Sequence, residues 1–131
     1  MIDRANFKER FGYFDKEIVV EIIDIFIDEY DDRIIKITRV IKDQNLDELK
    51  KTVHAFKGVI ANFEVECIAY QKAASMEQEA TELMNEIKEG QSFSKEDSDK
   101  FFTRISKDFE LFKTDSLDLL NELKDIRGEY L

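Results

Sequence analysis

Proline is absent from this chain of 131 residues, and glycine occurs only 4 times. These two residues interrupt helices most strongly, and a β-sandwich of this length needs many more of them for its turns. Their scarcity, beside abundant Glu, Lys, Leu and Ile, points to long helices. Cysteine is nearly absent too: Cys67 stands alone, so an intramolecular disulfide and a thiolate metal cluster are both excluded. It is expected to fill space as a small residue on a helix face. Positive charge is outweighed, with 30 Asp and Glu against 20 Lys and Arg and a formal net charge of −10. Nucleic-acid backbones and anionic membrane surfaces both recruit clustered cations, so neither suits this chain as a partner. No run reaches the roughly 18 apolar residues of a membrane span. Residues 18–27 come nearest, but Glu21 and Asp24 interrupt them. With no secretory leader at the start, a cytoplasmic protein is expected.

What is present suits one compact domain over residues 1–131. The chain is 43% hydrophobic, with 11 Phe to give the core bulk, while a 38% charged fraction implies elements with one wet face. Ile2, Phe7, Phe11 and Phe14 are spaced as a brief opening helix that covers one end of a bundle. Asp15 is an N-cap candidate with Glu17 in the first turn. From there to about Asp43, Ile18, Ile22, Ile25, Phe26, Tyr30, Ile34, Ile37 and Ile41 keep helical spacing. The acidic patch over residues 28–33 marks either a solvated face or a break. A break is expected, because an unbroken helix would be long for a domain of this size.

Asn45, with Glu48 three residues on, has the capping-box pattern. Leu46, Leu49, Val53, Phe56 and Ile60 form the stripe that follows. A further helix to about Glu89 rests on Val65, Ile68, Ala69, Met76, Leu83 and Ile87, with Gly90 as its stop. A single helix from Leu46 to Glu89 would be on the order of 65 Å long, so a turn is placed at 62–64. After the loop at 90–94, a last helix runs from about Lys95 to Arg127 on Phe101, Phe102, Ile105, Phe109, Phe112, Leu119, Leu120 and Leu123, with a stop expected at Gly128. The fold class expected is all-α: an antiparallel four-helix bundle with a short extra N-terminal helix.

The one histidine, His54, lies roughly 130° from the centre of its helix's apolar stripe and so should reach solvent. Lys57 and Lys50 flank it at i+3 and i−4. Gly58 and Ala61 follow at i+4 and i+7 and are the smallest side chains available. A neutral imidazole is a nucleophile at neutral pH without further activation. Phosphorylation would add roughly two negative charges, which a nearby lysine can offset. A mid-helix glycine costs about 1 kcal/mol relative to alanine, understandable if a partner's backbone must come close. On these grounds alone two readings stand level, an ordinary surface histidine and a reactive one.

The stretch His54-Ala55-Phe56-Lys57-Gly58 resembles the His-x-x-Lys-Gly signature of histidine phosphotransfer domains. Upstream, residues 25–29 resemble the end of one of the family's helices, after which come a further helix, the turn at 43–45 and the helix with the active histidine. Downstream, Ile68 and Met76-Glu77 resemble the apolar and acidic positions of the next helix, so the likeness covers roughly residues 2–90. It implies that His54 accepts and donates a phosphoryl group, that Lys57 stabilises it, and that Gly58, Ala61 and Lys50 form the docking surface. The implied partners are response-regulator receiver domains and a hybrid sensor kinase. No cofactor is implied for the chain itself, and Mg²⁺ is expected on the receiver. The protein would then be a phosphocarrier rather than an enzyme, expected to be a stand-alone monomer. Two positions depart from the family: Val59 stands where Ser or Ala is usual, and Glu64 where Gly is. Val59 is expected to affect packing only, and the charge of Glu64 to tune partner choice.

Rival readings are weaker or different in kind. A carboxylate-bridged metal bundle needs Glu-x-x-His pairs, and Lys51 stands three residues before His54, so no metal ligands are assigned. Nucleophilic hydrolysis needs a base beside Ser or Cys, and the single histidine sits by two lysines. The serious alternative is a non-catalytic helical adaptor that binds proteins through the acidic helix or the Phe-rich last helix.

Overall fold

The computed structural model describes residues 2–131 and contains five helices: α1 (Arg4–Phe11), α2 (Lys16–Lys42), α3 (Leu46–Ala61), α4 (Ile68–Lys88) and α5 (Lys95–Glu129). No strand occurs among the described residues, so the chain is all-α. Local chemistry sets the helix starts. The carboxylate of Asp3 accepts from the Asn6 N–H, the side chain of Asn45 from Glu48 N–H, and Ser94 exchanges bonds reciprocally with Asp97 in a full capping box. Gly90, at φ +92°, supplies the left-handed residue that ends α4.

The helices pack in chain order, α2 on α3, α3 on α4 and α4 on α5, and α5 returns to α2. Phe26, Phe56, Phe63 and Phe112 are fully buried between them. Phe56 is the hub, with edge-on contacts to Phe26, Tyr30 and Phe112 at ring-centroid distances of 6.3, 6.0 and 5.1 Å.

The expected break at 28–33 does not exist: α2 runs unbroken for 27 residues. Its buried line, Val19, Ile23, Phe26, Tyr30, Ile37 and Ile41, passes straight through the acidic patch. Asp28, Glu29, Asp31 and Asp32 are all on the exposed side. Tyr30 fastens the middle of the helix, its hydroxyl 2.7 Å from the Ser116 Oγ of α5. The 35 residues of α5 give α2 a partner along its whole length. Two positions of the expected stripe, Ile18 and Ile25, face outward, as do Val65 and Ile68. Val65 belongs to the α3–α4 turn, and the buried face of α4 is Ala69, Ala73, Met76 and Ala80. Gly128 stops nothing, since α5 continues to Glu129. Cys67 is buried, and its Sγ caps α4 by accepting from Tyr70 N–H. Burial pushes the thiol's pKa up, so it stays protonated.

α1 lies over the end formed by the α3–α4 turn and the last turns of α5. Phe11 packs on Phe7 and Phe63, and Phe7 meets Tyr130. Arg10 donates to the carbonyls of Asn62 and Phe63. Glu64 is buried, and its carboxylate accepts from the backbone N–H groups of Asp3 and Glu66 at 3.1 and 3.3 Å. The expectation that Glu64 offers its charge to a partner is therefore corrected: that charge is spent inside the fold, tying the turn to the chain's start. Glu64→Ala would leave two amides without a partner and should cost about 1–3 kcal/mol, read as a lower denaturation midpoint. An unchanged midpoint would contradict this role.

Candidate functional site

The site is built on the outer surface of α3. Leu49, Val53, Phe56 and Ile60 are buried, so the opposite side of the helix must face out. His54 lies there with 69% of its side chain exposed. Gly58, one turn on, is exposed; Lys50 and Ala61 are half-buried on the flank toward α4.

Glu77 of α4 joins His54 and Lys57. One carboxylate oxygen, Oε2, is 2.6 Å from His54 Nδ1, and the other, Oε1, accepts from Lys57 Nζ at 2.5 Å. Only 14% of the Glu77 side chain and 21% of the Lys57 side chain are exposed. The Lys57 ammonium also lies 5.9 Å from the centre of the Tyr70 ring. Partial burial raises the pKa of the Glu77 carboxyl, but the bonds from Lys57 and His54 outweigh it and hold the group below the usual glutamate value. The same bond raises Lys57 above the usual lysine value.

A tautomer follows. An ionised carboxylate only accepts, so Nδ1 must carry the hydrogen shared with Glu77. In the neutral imidazole the lone pair is then on Nε2. Glu77 holds the ring from its inner side, leaving Nε2 as the outward nucleophile, and it can stabilise positive charge that develops on the ring.

Gly58 is the second distinctive feature. A Cβ built on it meets no atom within 4 Å, and its backbone is ordinary helix. Neither crowding nor a left-handed φ therefore requires glycine here, although the residue weakens the helix. Nothing within the fold requires glycine at this position.

The structure brings His54, Lys57, Gly58 and Ala61 to one surface, as their spacing predicted. It leaves Lys57 paired with Glu77 rather than free beside the imidazole. Val59 is half-buried against the core, in line with a packing role. Glu77 is the residue that sequence reasoning missed as a member of the site. Its signal was an acidic side chain next to buried Met76, on a helix whose inner face is mostly alanine. Among the described residues no group of three His, Cys, Asp or Glu could hold a metal ion, and no helix is long and apolar enough to cross a membrane.

Comparison with protein-family models, with curated proteins and with solved structures returned no match to this chain.

The Glu77–Lys57 bond has a definite pH signature. A glutamate held below its usual value contributes stability that is present above that value and lost as pH falls through the lowered one. A raised lysine contributes stability that is present below its usual value and lost at higher pH. The two contributions coexist between roughly pH 5 and 10. Glu77→Gln should therefore destabilise the protein across that window, and the gap to the wild type should close as pH falls below the ordinary glutamate range and through the lowered Glu77 value. Parallel urea titrations measure this, and a pH-independent gap would refute it.

Proposed function

We propose that this chain is a single histidine phosphotransfer domain, an antiparallel four-helix bundle with an extra N-terminal helix, and that His54 carries phosphoryl groups between receiver domains. The observation that carries the proposal is the pairing of His54 Nδ1 with Glu77 beside the open surface at Gly58. An exposed imidazole with one nitrogen fixed and the other free is suited to accept a group delivered by a partner. A glycine that the fold does not need suits a partner that must come close.

The transfer step is an in-line displacement. His54 Nε2 attacks the phosphorus of an aspartyl phosphate on the receiver, a new N–P bond forms, and the P–O bond to the aspartate breaks. The aspartate leaves as a carboxylate with the bonding electron pair. Nδ1 keeps its hydrogen throughout, and Glu77 balances the positive charge of the phosphorylated ring. The receiver supplies Mg²⁺ and a lysine to the phosphoryl oxygens. Lys57, on a flexible stem beside His54, can add its charge by releasing Glu77. Reversal hands the group to a second receiver or returns it toward a hybrid sensor kinase. The chain is then a cytoplasmic phosphocarrier, acting as a monomer and not as an ATP-dependent kinase.

Label transfer tests the proposal. With a receiver domain carrying labelled phosphoaspartate and Mg²⁺, the wild type is expected to gain an acid-labile, base-stable label. His54→Gln should gain none, and Gly58→Arg should stay folded yet lose transfer by about tenfold or more. If several competent receivers left no label on His54, the protein would instead be a helical adaptor that binds partners without chemistry.

A further inference from the structure

Ile18, in the first turn of α2, and Ile25, further along its N-terminal half, are 41% and 51% exposed. With half-buried Ile22 they form one line at i, i+4 and i+7, and the line continues through Glu29 to Arg33. The guanidinium of Arg33 lies 5.9 Å from the centre of the Phe56 ring, so this flank of α2 borders α3. The level is fixed as well: Phe26 packs edge-on against Phe56 and Phe63, which sets the N-terminal half of α2 beside the C-terminal half of α3. On α3, Lys57 faces α4, so Ala55 and Val59 on the other flank face α2. From Gly58 the surface passes over exposed Ala55 and half-buried Val59 toward α2, where Ile25, Ile22 and Ile18 follow one another on the N-terminal side of the Glu29–Arg33 ion pair.

This apolar strip has an edge of one sign. Glu21, Asp28 and Asp32 lie along its outer border, all exposed and none in an ion pair among the described residues.

We propose that this strip is the landing surface for the receiver, and that the receiver which fits it has an apolar contact face bordered by Lys or Arg. The proposal rests on the phosphotransfer reading and names the kind of partner within it. A second copy of this chain fits poorly, because a symmetric contact would set the same carboxylates against each other in a molecule of net charge −10. Apolar contact supplies the hold, and the carboxylates steer the encounter and reject receivers with an acidic border.

The test uses receiver domains from the source organism, charged with labelled phosphate and Mg²⁺, some with a basic and some with an acidic border around the phosphorylatable aspartate. Phosphoramidate serves as a small donor that needs no docking. Transfer from basic-bordered receivers should slow about tenfold or more between roughly 0.05 M and 0.5 M salt, and in the triple variant Glu21→Lys/Asp28→Lys/Asp32→Lys. Ile18→Ser/Ile25→Ser should raise KM for the receiver and leave kcat close to the wild-type value. Labelling by phosphoramidate should be the same in all variants. Normal phosphoramidate labelling together with receiver transfer that ignores salt, charge reversal and the isoleucines would overturn the landing surface while leaving His54 as the acceptor. Loss of all His54 labelling would instead remove the phosphotransfer reading. A dimer dispersed by the isoleucine variant in light scattering would assign the strip to a second copy and also overturn the proposal.

Discussion

Glu77 reaches two residues of α3 at once, and it can do so because α3 and α4 lie close together. The inner face of α4 is Ala69, Ala73 and Ala80 with one Met76, so few atoms hold the backbones apart. These two helices share the most extensive contact in the fold. A bulkier face would move the carboxylate outward and break the bond to His54, that to Lys57, or both. The site therefore depends on alanine packing that contains no functional group. The bonds are short and partly screened from water, conditions in which a charge-assisted hydrogen bond fixes a ring most firmly.

The same packing explains why the side of His54 turned away from Glu77 stays open. Phe56 and its aromatic neighbours turn the stripe of α3 inward, and helical spacing then turns His54 and Gly58 outward. At one end of α3, Asn45 caps the helix; at the other, Arg10 and Glu64 bind the turn to α1 and the start of the chain. A helix held at both ends and along one side offers its free side as a rigid platform. Such a platform suits a transfer in which both partners must bring reacting atoms into line.

Much of this was legible in the sequence because it is local. The cap at Asn45, the turn at residue 62 and the outward direction of His54 follow from spacing over a few residues. The scarcity of proline and glycine predicted long helices, yet the acidic patch suggested a break in α2. What keeps α2 whole is distant: Tyr30 meets Ser116 of α5, a pairing that only the assembled helices create. Glu77 was hidden for a related reason, since its reach to His54 depends on the offset between α3 and α4. Glu64 reads as a surface charge until α1 is known to cover it. Ile18 and Ile25 look like core because their spacing is helical, but their true side is set by where α3 and α5 pack against α2.

In the proposed transfer, Glu77 fixes the His54 hydrogen on Nδ1 and leaves Nε2 to take the phosphoryl group. The most direct measurement is ¹⁵N NMR of the labelled imidazole at neutral pH, before and after phosphorylation. A protonated Nδ1 is expected in the free protein and, after transfer, a ¹⁵N–³¹P coupling on Nε2. A phosphoryl group on Nδ1, or a free ring protonated on Nε2, would contradict it.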